Sequence, residues 1–237
     1  MIASLDSIIK GANIKDLPTI EQISKVYRSS GSMAQGDDHP KLFAWQFLCT
    51  DYLIEAAKHW QNQVLVDLGC GRRLDGYIIA KLAGARAYMA VDPYNLSRFY
   101  ERLIDKEESK GDTEFNERIQ RVRSFIQNKG YDEKTVDRIL NNIDVHLEGH
   151  HLPVVLVAED MVSALKRLPD NSVSIMTAGL DNCIIWRDEY VELAEEEISR
   201  VLHPKGAYLA MCSRLVPKKL LIDPSFEGNT FRKFTKA

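Results

Sequence analysis

The chain has 237 residues, of which 45 % are hydrophobic and 27 % are charged. These proportions are typical of globular proteins and exclude a disordered chain or a fibrous repeat. Its 31 Lys and Arg residues are balanced by 34 Asp and Glu residues, for a net charge of −3. Binding to a phosphate backbone usually needs a basic excess, so nucleic acid is not an expected partner. One α/β domain over residues 1–237 accounts for the length.

No segment approaches the roughly 20 apolar residues of a membrane-spanning helix, and no leader pattern opens the sequence. We therefore expect a cytoplasmic protein with no membrane partner. Its four cysteines lie far apart and form no C-x-x-C pair: Cys49, Cys70, Cys183 and Cys212. This spacing is typical of buried thiols in a reducing compartment, so we predict no disulfide framework and no metal site.

Residues 1–60 predict a helical extension with one polar interruption. The segment IEQISKVYR is helix-like, SSGSMAQGDD is rich in turn residues, and Pro40 opens an apolar periodic run that continues to Trp60. Tyr27 and residues 29–38 fit two interpretations equally well, a lid over a ligand or a disordered linker.

A βαβ unit follows the helical extension. Residues 64–68, VLVDL, predict a buried strand, residues 77–83 a helix and residues 87–91 a second strand. Two such strands pair in parallel through a right-handed crossover. Residues 97–150 then predict a helical insertion with three helix-like stretches. This is longer than one crossover needs, and its extra helices could cap a pocket or form a homodimer.

Strands and helices alternate again after residue 152. The strand-like segments are VVLVA, SVSIMTA and AYLAM, with helices between them, and a terminal hairpin closes the chain. The alternation predicts a doubly wound, mostly parallel sheet of six or seven strands with flanking helices. The short path from Met211 to the hairpin lacks the helix often found before a sixth strand, so the sheet could have fewer than seven strands.

The first strand ends in a pattern typical of nucleoside binding. Asp67-Leu68-Gly69-Cys70-Gly71 leads into a helix, and its glycines allow backbone amides to approach a ligand closely. Asp92 lies 21 residues after Gly71, at the end of the next strand. A carboxylate there can accept hydrogen bonds from both hydroxyls of a ribose.

Asp67 discriminates between two classes of nucleoside cofactor. A carboxylate beside the glycine loop would repel a pyrophosphate but attract the ammonium or sulfonium group of S-adenosylmethionine. The glycine fingerprint of nicotinamide enzymes also needs a third glycine at position 74, where this chain has Leu74. Both points disfavour NAD, and an NAD-dependent oxidoreductase is kept as the third hypothesis.

Three motifs in succession resemble those of class I S-adenosylmethionine-dependent methyltransferases. They are VDLGCG with Asp92, AEDMVSALKRLPDNSVSIMTAG, and EYVELAEEEISRVLHPKGAYLAM. The similarity runs from about Val64 to Met211 and is interrupted by the insertion after Asp92. It implies a Rossmann-like fold, S-adenosylmethionine as the cofactor and methyl transfer as the activity.

The resemblance also implies roles for individual residues. Asp67 and the two loop glycines would surround the methionine part of the cofactor, and Asp92 would bind the ribose. Asp160 corresponds to the acid that takes the adenine amino group, with Met161 beside the ring. Residues 178–179 would border the methyl-transfer site. The predicted cofactor-binding residues are Asp67, Gly69, Cys70, Gly71, Asp92, Pro93, Asp160, Met161, Ala178 and Gly179. Individually, Asp92 and Asp160 also fit simple capping roles, Met161 and Cys70 fit core packing, and Gly179 fits a turn.

Two departures from the family pattern bear on activity. Arg73 follows Arg72 where the family often has a further glycine, so it could crowd the cofactor or pair with its carboxylate. The chain also lacks the D/N-P-P-Y/F tetrapeptide that accompanies methylation of planar amino groups in the family. Nucleic-acid bases and glutamine are therefore not expected acceptors.

No catalytic base is assigned, because in-line methyl transfer can depend on positioning and water exclusion alone. Five residues near the third and fourth strands are candidates that more often serve as surface or turn residues: His146, His150, His151, Asp181 and Asn182. We therefore expect an S-adenosylmethionine-dependent methyltransferase acting on a small-molecule substrate. The main alternative is a non-catalytic protein that binds S-adenosylmethionine or S-adenosylhomocysteine for regulation or interaction.

Overall fold

The computed structural model describes residues 51–71, 75–93, 96, 126, 131–147, 152–178, 188–211, 213–226 and 231–237. Its elements are α1 (Asp51–His59), β1 (Val64–Leu68), α2 (Asp75–Leu82), β2 (Ala87–Val91), α3 (Glu133–Leu147), β3 (Val154–Val157), α4 (Met161–Lys166), β4 (Ser174–Ala178), α5 (Asp188–Val201), β5 (Tyr208–Met211), β6 (Leu221–Ile222) and β7 (Phe231–Thr235). The predicted lid and the predictions for Arg72, Arg73, Gly179 and residues 181–182 lie outside the described residues. None of the described helices is both long and apolar enough to cross a membrane.

The seven strands form one sheet in the order β3-β2-β1-β4-β5-β7-β6. Neighbouring strands from β3 to β5 pair in parallel, and β7 is antiparallel to both β5 and β6. Every residue of β1 and β2 is buried, as expected for central parallel strands covered on both faces. The predicted doubly wound, Rossmann-like α/β fold is confirmed. Its order departs from the dinucleotide-binding order 3-2-1-4-5-6 because β7 is inserted antiparallel beside β5.

The seven strands agree with the predicted six or seven, but the expectation that the missing helix shortens the sheet is not met. It assumed that a helix is needed between β5 and β6, but residues 213–220 make this connection without one. β6 lies two strand positions from β5, a separation of about 10 Å. An extended chain spans up to about 3.3 Å per residue, so this segment can also run back along the sheet. Leu215 and Leu220 are buried in the same cluster as α5, so the segment covers the sheet as a helix would.

Helices cover both faces of the sheet and enclose two hydrophobic clusters. The first cluster packs α1, α2 and α3 on one face, with Trp60 and Tyr52 among its largest fully buried side chains. The second packs α4 and α5 on the other face, around Ile198 and Leu165. Strand residues alternate between the clusters, so Leu65 faces the first and Val66 the second.

Helix α3 is the crossover between β2 and β3, and it corresponds to the third helix-like stretch of the predicted insertion. Asn142 donates a hydrogen bond to the carbonyl of Leu82 (2.8 Å), and Arg138 donates one to Gln61 (2.5 Å). Gln61 precedes β1 and Leu82 precedes β2, so these contacts lie at the amino-terminal edge of the sheet. Side chains of the other two stretches are described only at Leu96 and Ile126, both buried.

An ion-pair network joins α1 to the terminal hairpin. Glu55 on α1 lies 2.7 Å from Lys233 on β7, and Lys233 lies 2.7 Å from Asp223 after β6. Lys58 donates a further 2.7 Å bond to Glu55. Both Glu55 and Lys233 are largely removed from water, with side chains 7 % and 12 % exposed. The network fixes the far edge of the sheet to the first described helix.

Candidate functional site

The candidate site lies at the carboxyl edge of the parallel strands. β1 and β4 are neighbours, and the chain winds outward from them in opposite directions along the sheet. In open α/β sheets such a reversal leaves a crevice outside the strand ends, where ligands bind. The glycine loop follows β1, Asp92 follows β2, Asp160 follows β3 and Ala178 ends β4. The fold thus brings these predicted residues to one edge of four adjacent strands.

The glycine loop makes a tight turn that only glycine tolerates well. Gly69 has φ 73° and Gly71 has φ 63°, both in the left-handed region. The loop is held against β2 because the amides of Gly69 and Cys70 donate to the carbonyl of Val91, at 2.8 and 3.2 Å. A Cβ placed on Gly71 would meet no atom of the described chain within 4 Å. As far as the described residues show, the backbone at Gly71 therefore borders space that a ligand could occupy.

Asp92 is connected directly to this loop. Its Oδ2 accepts a hydrogen bond from the amide of Gly71 at 3.0 Å, and its backbone amide donates to Val157 on β3. The residue is only 6 % exposed. The hydrogen bond from Gly71 holds the Asp92 carboxylate beside the glycine loop. The predicted contact of Asp92 with a ribose stays a prediction.

Asp67 lies beneath the first turn of α2. Its side chain is on the α2 side of β1, 4 % exposed, and its Oδ2 accepts a 2.5 Å hydrogen bond from Tyr88 on β2. A Cβ on Gly76 would approach that oxygen to 2.1 Å and the Tyr88 hydroxyl to 2.8 Å. Only glycine therefore permits α2 to lie this close to the carboxylate. A buried carboxylate here makes the potential under the loop negative, which favours a cationic ligand.

Cys70 is a half-buried thiol between two acids. Its Sγ lies 3.5 Å from the carbonyl of Gly71. Burial raises the pKa of Cys70 well above its usual value, and the charges of Asp67 and Asp92 raise it further. A thiol held in its protonated form is a poor nucleophile. The geometry therefore favours packing over a reactive role for this residue.

Labelling of Cys70 by a thiol reagent should consequently be slow. In a variant whose other three cysteines are changed to serine, we expect Cys70 to react at pH 8 several-fold more slowly than free cysteine, whose pKa is about 8.5. The same variant unfolded in urea provides the control, since exposure restores an ordinary thiol. Reaction of the folded form at the rate of the unfolded form would contradict the assignment.

Asp160 caps α4 and also contacts α5. Its Oδ1 accepts from the amides of Val162 (3.0 Å) and Ser163 (3.1 Å) and from the hydroxyl of Tyr190 (3.0 Å). Burial raises its pKa, but hydrogen bonds from the side chain and amide of Ser163, from Tyr190 and from the amide of Val162 more than offset that effect and hold it below the usual value. The group is therefore a carboxylate at neutral pH. The capping interpretation describes its contacts, and one oxygen remains for a ligand.

The other predicted cofactor-binding residues differ in accessibility. Met161 is 8 % exposed and packs in the second hydrophobic cluster, which agrees with a role in core packing. Ala178 is partly exposed at the end of β4, paired with Met211 of β5. Pro93 is partly exposed after Asp92, and Gly179 lies outside the described residues. Their contacts with a cofactor stay predictions.

Three contributors were missed by sequence reasoning. Gly76 supplies the close helix–strand packing for which nicotinamide enzymes use the third glycine of their fingerprint. Tyr88 and Tyr190 each donate to one of the predicted acids. Gly76 was detectable as a glycine at a helix start, where it weakens the helix and so requires another reason. The tyrosines carried no local signal, because each meets its acid across the fold.

The part of the chain that is described contains no group of three or more His, Cys, Asp or Glu side chains able to hold a metal ion. Each acid at the strand ends accepts a hydrogen bond: Asp67 from Tyr88, Asp92 from Gly71, and Asp160 from Tyr190 among others. Such an arrangement presents separate acceptor groups to an extended organic ligand.

No model of a protein family and no curated protein matches this sequence. Solved structures do match. A Streptococcus mutans protein, described as a candidate methyltransferase and solved with S-adenosylhomocysteine, is 12 % identical over 78 % of this chain and 94 % of its own, with a TM-score of 0.43. A TehB-like S-adenosylmethionine-dependent methyltransferase from Corynebacterium glutamicum is 14 % identical over 92 % and 98 %, with a TM-score of 0.41. An S-adenosylmethionine-dependent methyltransferase from Agrobacterium tumefaciens is 14 % identical over 72 % of this chain, with a TM-score of 0.36. This chain spans only 44 % of that protein.

Proposed function

We propose that this chain is an S-adenosylmethionine-dependent methyltransferase that acts on a small molecule. The observation that carries the proposal is the placement of three aspartates, Asp67, Asp92 and Asp160, after three adjacent parallel strands. The cofactor offers a cationic amino-acid end, a ribose diol and an adenine amine. Each of these is a cation or a hydrogen-bond donor, and each suits a carboxylate.

Asp67 argues against NAD. A dinucleotide brings a pyrophosphate to the glycine loop, and its two negative charges would face the carboxylate of Asp67, which is 4 % exposed. Repulsion between charges is strong where water is excluded. Gly76 satisfies the helix-packing need of a dinucleotide fingerprint, so Asp67 and not the missing glycine at position 74 carries this argument.

The roles proposed for the chain are binding and placement. The bound cofactor supplies an activated methyl group on a positively charged sulfur. Asp67 would attract the cationic end of the ligand, while Asp92 and the open backbone at Gly71 would hold the ribose and methionine portions. Holding both reactants in line and away from water can supply much of the rate enhancement. Ala178, at the end of β4, would border the acceptor.

Cofactor affinity should depend strongly on Asp92. We expect Asp92→Ala to weaken S-adenosylhomocysteine binding by about 10- to 100-fold, because hydrogen bonds to a charged group contribute about 1.5–3 kcal/mol. The variant also removes the acceptor of the Gly71 amide. Titration calorimetry at pH 7 measures the change, with Asp137→Ala as the control that deletes an exposed carboxylate of α3.

Failure of the wild-type protein to bind either S-adenosylmethionine or S-adenosylhomocysteine would refute the proposed function. Equal affinities of Asp92→Ala and wild type would refute the site. A methyl-release assay over a panel of small metabolites then tests catalysis. Tight binding without turnover would favour the non-catalytic alternative, which Arg73 in the glycine-loop sequence supports.

A further inference from the structure

The two oxygens of Asp160 have unequal surroundings. Oδ1 accepts all three of its hydrogen bonds, from the amides of Val162 and Ser163 and from the hydroxyl of Tyr190. Within the described part of the chain, no donor makes a hydrogen bond of ordinary geometry to Oδ2, although the Ser163 hydroxyl lies close enough to the carboxylate to help lower its pKa. The side chain is only partly buried, so this second oxygen is a strong acceptor left for a donor from outside the chain.

Tyr190 reaches Asp160 from a different element. It lies in the first turn of α5, 30 residues further along the chain, and its ring packs against the second hydrophobic cluster. Burial and the charge of Asp160 raise the pKa of Tyr190, so its hydroxyl stays protonated and continues to donate. An N-cap needs only the helix amides. The tyrosine is therefore an additional restraint on the carboxylate that capping does not require.

We propose that Tyr190 is a positioning residue that directs Oδ2 of Asp160 toward the 6-amino group of a bound adenine. It thereby sets the preference of the site for adenine over a 6-oxopurine. This inference rests on the proposed function, because the adenine belongs to the proposed cofactor. A freely rotating carboxylate could follow a shifted base, whereas one held by donors from α4 and α5 offers its acceptor in one direction.

The preference can be measured with two ligands that differ only at the base. S-adenosylhomocysteine presents an amino donor at position 6, and S-inosylhomocysteine presents a carbonyl acceptor there. A carboxylate oxygen facing that carbonyl gains no hydrogen bond and is repelled. We expect wild type to prefer S-adenosylhomocysteine by about 100-fold, since sites built for a polar group reject analogues that cannot pair with it.

Tyr190→Phe removes only the hydroxyl and should reduce this preference by about 5- to 10-fold, the scale of one hydrogen bond to a charged group. Tyr208→Phe is the matched control. Tyr208 is a buried tyrosine of the same cluster whose hydroxyl contacts Thr177 and Ser213 instead of Asp160. It should leave the ratio of the two affinities unchanged, even where it lowers stability.

Asp160→Asn provides a second and sharper test. Asparagine also caps helices well, and all three donors require its carbonyl oxygen at the position of Oδ1. The amide nitrogen then occupies the position of Oδ2 and donates, so the preference should reverse toward S-inosylhomocysteine. In Tyr190→Phe/Asp160→Asn the reversal should be smaller, because the amide is less restrained.

The test compares the calorimetric affinities of each variant for S-adenosylhomocysteine and S-inosylhomocysteine. A reduced ratio in Tyr190→Phe and a reversed ratio in Asp160→Asn support the inference. If Tyr190→Phe weakens both ligands equally, the tyrosine is merely structural and the inference is wrong, while the proposed function stands. Absence of S-adenosylhomocysteine binding in wild type would instead overturn the proposed function and this inference with it.

Discussion

Replacing Gly76 with alanine is expected to lower the free energy of unfolding by about 3 kcal/mol and to weaken S-adenosylhomocysteine binding at least about tenfold. The new Cβ would lie 2.1 Å from Oδ2 of Asp67 and 2.8 Å from the Tyr88 hydroxyl. Both side chains are buried, and Asp67 is on a central strand, so neither atom can retreat cheaply. Helix α2 must move away or the 2.5 Å bond between Asp67 and Tyr88 must break.

Helix propensity alone would predict that Gly76→Ala raises the free energy of unfolding, whereas we expect it to fall. Alanine within a helix is favoured over glycine by about 1 kcal/mol. Overpacking costs about 1–3 kcal/mol, and losing a hydrogen bond to a charged group about 1.5–3 kcal/mol, so the steric effect exceeds the gain. A stabilised Gly76→Ala variant would show that α2 does not rest on Asp67.

Two further variants separate packing from binding. Asp67→Ala removes the oxygen that the new methyl group meets, so Gly76→Ala should cost less in that background than in wild type, and additive effects would contradict the contact. Gly206→Ala is the matched control. Its Cβ would lie 2.6 Å from Oγ of Ser174, at the amino-terminal edge of the sheet. It should lower stability in urea unfolding without changing cofactor affinity measured by calorimetry.

The parallel strands could be predicted closely from the sequence. The observed bounds of β1 and β2, Val64–Leu68 and Ala87–Val91, are those that the apolar runs predict. Strands buried on both faces must be apolar throughout, and the flanking glycines and turn residues mark their ends. Because helix-like segments alternate with these strand-like runs, the sequence also predicts that the sheet is doubly wound.

The connection to β6 could not be predicted in this way. A parallel crossover usually contains a helix, and its absence suggested a shorter sheet. Residues 213–220 replace the helix because Leu215 and Leu220 are buried in the second cluster and the amide of Val216 donates to Glu195 of α5 at 2.7 Å. That contact spans 21 residues and has no local signature.

The candidate site was predictable in its acids but not in what holds them. Asp92 and Asp160 stand at strand ends, where the order of elements alone places them. One of the three donors to Asp160 is Tyr190, which lies 30 residues away on the helix that follows β4. Pairing of that kind depends on how elements pack, and no spacing within one element encodes it. The role of Gly76 was partly predictable, because a glycine suggests a close approach of the backbone but does not show that Asp67 is the group approached.

Breaking the ion pair between Glu55 and Lys233 is expected to have the second large effect. Lys233→Met should lower the free energy of unfolding by about 3 kcal/mol at pH 7, because it leaves a buried carboxylate with fewer partners. The two side chains are 7 % and 12 % exposed and their charged atoms lie 2.7 Å apart. Lys219→Met is the matched control. Its pair with Glu196 is 3.9 Å long and 72 % and 63 % exposed, so the loss should be below about 1 kcal/mol.

The pH dependence of stability follows from the same network. Burial raises the pKa of Glu55, but hydrogen bonds from His59, Lys233 and Lys58 more than offset this and hold it well below 4.5. Its contribution to stability is therefore complete above about pH 4.5 and is lost as the pH falls toward the folded-state pKa. For Lys233, burial lowers the pKa, but bonds to Asp223 and Glu55 raise it above 10.5. Its contribution is complete below about pH 10.5 and is lost as the pH rises through the folded-state pKa.

A double variant shows whether Lys233→Met destabilises the protein because the buried Glu55 carboxylate loses its partner or because other contacts of Lys233 are lost. If the cost of Lys233→Met comes from a buried carboxylate that has lost its buried partner, then Glu55→Met/Lys233→Met should be more stable than Lys233→Met alone, because buried pairs replaced by apolar residues often cost little. Its stability should also fall less steeply between pH 5.5 and 3.5 than that of wild type. Urea unfolding across this range measures both effects. A double variant that is less stable than Lys233→Met, with the acid dependence of wild type, would locate the stabilisation in contacts other than this ion pair.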